Sequence, residues 1–293
     1  MYGLTISSEM VLPELVVVEE REPDVWIKTG KVPNHLPIKK GSGVLYEAAQ
    51  DDFLFRLDTV ASYRVREGKY ITIESKETAT PEEVRLFLFG SAMGALLHQR
   101  GMLAIHASSV EQGKKGFVIA GLSSSGKSTL AAGFLEKGYS ILSDDISVIG
   151  FEDEDGHFIY PGIPHLKLWK DVLMHLSESL DLEPVRPKLE KYKKPILQGK
   201  NLNPVRLDKI IILSTKNTPG YHFQEILGSE KFNLLRQNTY RLQYLNNLSR
   251  MESHFRNLSR LVANTSVYKV ERPCSPLHIR ELTTFVEDNI FEI

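Results

Sequence analysis

Gly121-Leu122-Ser123-Ser124-Ser125-Gly126-Lys127-Ser128-Thr129 is the stretch on which the reading of the chain turns. It meets the phosphate-loop pattern G-x-x-x-x-G-K-[ST] at every fixed position. The apolar run Gly116-Phe-Val-Ile-Ala120 before it has the length of a strand, and 130–137 after it reads as a helix that Gly138 stops. Strand, glycine-bearing turn and helix N-terminus form the context in which the pattern carries meaning. Successive backbone N–H groups can curl around phosphate oxygens, and a side chain at Gly126 would obstruct that approach. The helix start adds unpaired N–H groups and a positive dipole end. Gly121, Ser123, Ser124, Ser125, Gly126, Lys127, Ser128 and Thr129 are the expected nucleotide-binding residues. Lys127 would neutralise the β- and γ-phosphates, and the Ser128 hydroxyl would ligate Mg²⁺.

Downstream, Tyr139-Ser-Ile-Leu-Ser-Asp144-Asp145-Ile-Ser-Val-Ile149 is an apolar run interrupted by two acids. In a parallel sheet strand ends share one edge, which would bring Asp144 and Asp145 to the phosphates. Adjacent carboxylates on an extended chain point opposite ways, so two separate jobs are expected, one toward Mg²⁺ and one toward an incoming hydroxyl. Upstream, 102–110 reads as a strand, with His106 near its end as a second candidate beside the phosphates and a hydrogen-bonded core histidine as the alternative.

The remaining chain sets bounds. Its 293 residues are 42% hydrophobic and 25% charged, an ordinary globular composition with room for one large or two smaller domains. A net charge of −1 gives no argument for nucleic acid or an anionic membrane. The single cysteine, Cys274, excludes an intrachain disulfide and suits a reducing, cytoplasmic setting. Glu9, Glu14 and Glu19 interrupt the early apolar stretch, so no signal peptide is expected, and no run of about 18 apolar residues suggests a membrane span.

Residues 1–79 read as a small β-rich domain. Leu15-Val-Val-Val18 is a β-branched run, Phe53, Phe55 and Leu57 alternate with other residues, as do Ala61, Tyr63 and Val65, and Glu67-Gly68 turns the chain into Tyr70-Ile-Thr-Ile73. Thr80-Pro81-Glu82-Glu83 is a capping box that opens a helix expected to reach about Arg100. Within 80–293, Asp153, Glu154, Asp155 and Gly156 suggest a hairpin turn, a helix is expected near 171–179, and 183–200 reads as a basic loop containing Arg186, Lys188, Lys191, Lys193, Lys194 and Lys200. Such a loop is solvated by default. The sharper option is closure on phosphates or an acidic peptide, with Lys191 and Lys194 as a candidate clamp. A strand at 205–213, helical residues from 229 to 264, a strand at 266–270 and a closing helix at 276–289 with Leu277, Leu282 and Phe285 complete the reading.

The strand histidine, the loop and the paired aspartates, at this spacing, resemble the HPr kinase/phosphorylase family, bacterial serine kinases whose nucleotide domain is related to phosphoenolpyruvate carboxykinase. The resemblance covers roughly 100–150. It implies an α/β fold with a phosphate-loop kinase domain of that type over 80–293. By position, His106 resembles the family's active-site histidine, Lys127 and Ser128 its phosphate and Mg²⁺ residues, Asp144 its general base, and Asp145 the neighbour on the metal side. Ser124 stands where the family loop usually has glycine. The family's glycine-rich signature and its C-terminal Pro-Gly-Arg-Asn-type stretch are not found, and the chain looks more similar to a shorter group that includes kinases of the C-terminal serine of lasso-peptide precursors. The implied activity is Mg²⁺-dependent transfer from ATP to a serine of a peptide or small protein. HPr as acceptor and a non-catalytic ATP-binding regulator remain alternatives, and a homo-oligomer is left open.

Overall fold

The computed structural model describes residues 1–152, 156–163, 165–176, 181–186, 189–196, 202–274 and 278–291. The chain is mixed α/β and divides into two compact units, 1–104 with 240–257, and 105–239 with 258–293.

The first unit is built on a seven-stranded sheet in the order Ile6–Ser8, Val25–Thr29, Tyr70–Ser75, Ala61–Arg66, Asp52–Leu57, Tyr46–Ala49, Gly41–Ser42. Alternation buries Ala61, Tyr63 and Val65 on one face, as the period of two requires. The unit continues past 79, the boundary expected from the sequence, because the next helices pack on this sheet. Tyr63 donates from its hydroxyl to the Val84 carbonyl at 2.8 Å, and the Gln99 side chain donates to Val65 O at 3.0 Å. The capping box forms as expected: Thr80 Oγ1 accepts from Glu83 N–H, and the Glu83 carboxylate accepts from Thr80 N–H. The helical run is Pro81–Phe87, a π turn at Leu88–Ala92, and Met93–Gln99. Leu15-Val-Val-Val18 is not a strand; Val17 is 95% exposed, and β-branched residues without a partner strand gain nothing from extension. Val25–Thr29 supplies the strand instead.

The second unit is a mixed sheet whose directions decide where functional groups meet. Lys115–Gly121 runs parallel to Val205–Lys216, which runs parallel to Ser266–Pro273. Ala107–Gln112 lies antiparallel between Lys115–Gly121 and Ser140–Ser143. The second edge of Val205–Lys216 is shared, with Arg206 and Val205 pairing to Phe158 and Ile159 and residues 209–216 to Ser266–Pro273. The ends at Gly121, Ser143 and Pro273 therefore face one edge of the sheet, and the antiparallel strand begins there.

Helices Lys127–Glu136 and Ile279–Val286 cover one face. Beneath them Phe117 and Phe291 stack at 3.7 Å between ring centroids, with Phe134 5.0 Å from Phe291. At Gly133 a Cβ would lie 2.2 Å from Thr283 Oγ1, so the crossing of the two helices requires glycine. The helical region expected over 229–264 is three helices, Gly228–Gln237, Leu242–Asn247 and Met251–Asn264. Arg241 and Ser249, at φ 50° and 56°, take the left-handed conformation between them. The closing helix is Ile279–Val286 followed by a π turn, and Leu277 lies outside the described residues. The same holds for Asp153, Glu154 and Asp155 of the expected hairpin turn, flanked by strands Ser147–Glu152 and Gly156–Tyr160, and for 177–179 of the helix expected near 171–179, of which Lys170–His175 is seen. Part of the expected basic loop is a strand: Lys191–Pro195 pairs antiparallel with His165–Trp169 in a two-stranded sheet of its own. Lys188 and Lys200 lie outside the described residues.

Candidate active site

Loop 121–126 passes from strand to helix by three left-handed residues. Gly121 has φ 147°, Ser124 64° and Gly126 106°. A Cβ on Gly121 would meet the Leu213 carbonyl oxygen at 2.3 Å, so only glycine lets the loop leave its strand this close to the neighbouring one. Ser124 holds a conformation that costs a non-glycine residue about 1–2 kcal/mol. The loop is braced from two sides. Asn238 accepts from Gly121 N–H through its side-chain oxygen at 2.9 Å, and its own carbonyl accepts from His106 N–H at 2.7 Å. Arg272 Nε donates to Ser125 O at 2.9 Å. Helix Lys127–Glu136 then starts with no side-chain cap, leaving its first N–H groups to an anion or solvent. The Lys127 ammonium donates to Gly121 O and Leu122 O, each at 3.0 Å, and burial lowers its pKa.

The two acids differ. The strand ends at Ser143, after an irregularity in register between Ile141 and Ser143, and Asp145 has φ 68°. The expected extended pair with opposed side chains is therefore absent. Asp144 is 8% exposed and accepts three hydrogen bonds: Ser108 Oγ at 2.6 Å and Ser128 Oγ at 2.9 Å on Oδ1, and Lys167 N–H at 2.9 Å on Oδ2. Burial, reinforced by the charge of Asp145, pushes its pKa up. Asp145 is ion-paired with the Lys167 ammonium. Burial alone would raise the pKa of Asp145, but the charge and hydrogen bond of Lys167, with Lys191 and His106, hold it well below the usual carboxylate range. Beneath the pair lies a buried chain of hydroxyls, Ser109 to Ser143 at 2.6 Å and Ser143 to Ser147 at 3.0 Å.

His106 sits in the break between Leu103–Ile105 and Ala107–Gln112, at the beginning of the antiparallel strand and not near the end of one long strand as expected. Its Nδ1 lies 2.9 Å from the Asp145 carbonyl, which can only accept, so Nδ1 carries the proton. Burial and the nearby Lys127 lower its pKa, which favours a neutral ring whose Nε2 is the basic nitrogen.

These groups open on one cavity of about 780 Å³. Of the residues expected from sequence, His106, Ser123, Ser124, Gly126, Lys127, Ser128, Thr129, Asp145 and Lys191 line it. Gly121, Ser125, Asp144 and Lys194 do not; the first three lie behind the lining as support, and Lys194 is further along the Lys191–Pro195 strand. Sequence reasoning missed Lys167, Trp169, Arg272 and Asn238. Arg272 could have been found, since it closes a strand parallel to the one that feeds the loop. Lys167 could have been found from Leu166 and Leu168, whose burial puts His165, Lys167 and Trp169 on the opposite face of their strand.

Among the described residues no group of three or more histidine, cysteine or acidic side chains is arranged to hold a metal ion. Ser128 Oγ and Asp144 Oδ1, 2.9 Å apart, nevertheless form a pair of hard oxygen donors of the kind Mg²⁺ uses when phosphates and water supply its other ligands. No helix among the described residues is long and apolar enough to cross a membrane.

No family model and no curated protein matches the chain. Among solved structures it is similar to the Hpr(Ser) kinase/phosphatase from Coxiella burnetii, over 64% of this chain and 94% of that one, at 14% identity and a TM-score of 0.32.

Proposed function

We propose that the cavity binds Mg²⁺–ATP and transfers its γ-phosphoryl group to a serine hydroxyl of a peptide or small protein. The observation that carries this reading is the contact of Ser128 with Asp144 at the start of helix Lys127–Glu136, beside a second acid that faces the cavity. A site that only senses a nucleotide needs the loop and the metal pair, but has no use for a further carboxylate aimed at the open space.

The geometry supports a role for each side chain. Backbone N–H groups of the loop and the Lys127 ammonium bind the phosphates, for which Lys127 leaves its two loop carbonyls. Ser128 and Asp144 would hold Mg²⁺, which neutralises charge on the β- and γ-phosphates when bound. Asp145 faces the acceptor and takes its hydroxyl proton, reversing the roles that the family resemblance implies for the two acids. His106 fixes the backbone of Asp145 through its Nδ1–H. Arg272 braces the loop, and Lys191 stands at the rim, 5.7 Å from the Trp169 ring centroid.

The acceptor class we favour is a peptide ending in serine, of the lasso-precursor type; this rests on the sequence resemblance alone. Transfer of label from γ-labelled ATP to such peptides and to HPr, side by side, tests it. Label on the peptide serine supports the reading; label on HPr alone moves the acceptor to a regulatory protein; ATP bound without label on either favours a nucleotide-binding regulator.

A further inference from the structure

The residue that donates its amide to Asp144 is the one that gives its ammonium to Asp145. Lys167 lies in the middle of strand His165–Trp169, with Leu166 and Leu168 fully buried on the other face as anchors. That strand belongs to a two-stranded sheet separate from the one carrying the acids. Its backbone N–H reaches Asp144 Oδ2 at 2.9 Å while its side chain, 17% exposed, pairs with Asp145 Oδ2. The two contacts pull adjacent carboxylates into separate settings, one withdrawn onto Ser128 and one on the cavity wall. Like-charged neighbours do not hold such an arrangement unaided. The other charged or titratable groups facing Asp145 are Asp144, His106, Lys191, Lys127 and His165. The Lys167 ammonium donates a hydrogen bond to the Asp145 carboxylate.

We infer that Lys167 is a positioning residue that clamps the acid pair, its amide keeping Asp144 on the metal side and its ammonium keeping Asp145 turned toward the acceptor. The inference deepens the proposed reading of this cavity and rests on it. Two consequences follow. Without the ammonium, Asp145 is released to swing toward a divalent cation, and a competing positive charge is gone, so a metal binds the pair more tightly. Transfer slows at the same time, because the carboxylate no longer faces the hydroxyl, whereas the nucleotide is still held by the loop.

The test uses Lys167→Met, which keeps the stem, and Lys167→Arg, which keeps a charge. Mn²⁺ alone is titrated against each full-length protein by electron paramagnetic resonance, and transfer kinetics are measured in parallel. Lys167→Met is expected to bind Mn²⁺ several-fold tighter, to lose about a hundredfold in kcat, and to keep KM for ATP within about threefold, while Lys167→Arg recovers most of kcat. In an Asp145→Asn background, Lys167→Met should tighten Mn²⁺ binding less than it does in the parent, because the carboxylate it releases is no longer charged and only the loss of the competing ammonium remains. Wild-type Mn²⁺ affinity in Lys167→Met overturns the clamp, as does wild-type kcat. If the parent protein transfers phosphoryl to no acceptor, the functional reading fails, and the Mn²⁺ titration alone still decides for or against the clamp.

Discussion

Asp144→Asn should separate folding from chemistry. The asparagine has the shape of the aspartate it replaces, and its partners can adapt. The fixed donor, Lys167 N–H, meets the amide oxygen, and the two hydroxyls of Ser108 and Ser128 rotate to accept from the amide NH₂. Replacing three hydrogen bonds to a charged acceptor with neutral ones loses about 1 kcal/mol each. Against that, a carboxylate that is 8% exposed beside a second carboxylate no longer has to be kept ionised, which offsets part of the loss. The net change in unfolding free energy is expected within about 1.5 kcal/mol of zero. Transfer, by contrast, loses the charged half of the metal pair and is expected to fall by about 10²–10⁴-fold, or about 2.7–5.5 kcal/mol of activation free energy. Urea unfolding and single-turnover transfer on the same preparation measure both. Asp144→Ala, which leaves Lys167 N–H without its acceptor, should destabilise by about 2–3 kcal/mol, a contrast that isolates the hydrogen bonding. The reasoning is refuted if Asp144→Asn transfers within tenfold of the parent, or if it is as unstable as the alanine variant.

Three further outcomes are expected. Ser124→Gly, by relieving a left-handed non-glycine residue, should be neutral or stabilising by up to about 1 kcal/mol in thermal unfolding, and clear destabilisation would show that the serine is held by more than its backbone. Gly133→Ala should cost about 1–3 kcal/mol, because its Cβ would lie 2.2 Å from Thr283 Oγ1; an unchanged melting temperature would contradict the helix crossing. His98 is buried, its Nε2 is 2.6 Å from the Tyr240 carbonyl, and burial lowers its pKa to about 4. The folded pKa lies below the unfolded value of about 6.5, so the histidine's stabilising contribution is complete above pH ~6.5 and is lost as pH falls toward 4, up to about 3 kcal/mol. Urea unfolding of the parent and of His98→Gln across that window should differ in slope, and parallel curves would rule the histidine out.

Local signals in the sequence were strong where one short segment carries the whole device. The loop with its strand and helix lies within one unbroken stretch, 115–136, and the capping box at Thr80 within four residues, and the structure forms both. The acids after Ser140–Ser143 come to the loop as expected, but by a different route. The strand between them and Lys115–Gly121 is antiparallel, which is also why His106, at that strand's beginning, arrives at the same edge. What could not be read is long-range. Lys167, Arg272 and Asn238 come from separate elements; the strand patterns of the first two hint at their place, but only the sheet order and the packing of the small hairpin bring Lys167 and Arg272 to the cavity and Asn238 to the loop behind it. The geometry of Asp144 and Asp145 was misread because extended backbone was assumed, and a left-handed residue breaks the alternation. Leu15-Val-Val-Val18 misled for the converse reason: propensity without a partner strand does not make a strand.

The central claim is that this cavity moves a phosphoryl group to serine. Intact-mass spectrometry of serine-ended lasso-type precursor peptides, incubated with the protein, ATP and Mg²⁺, tests it most directly. The account predicts a gain of about 80 Da, one phosphate, localised by fragmentation to the serine, absent with Lys127→Met and reduced at least a hundredfold with Asp145→Asn. Peptide and HPr both unmodified while ATP is bound, or a gain that survives Lys127→Met, would contradict it.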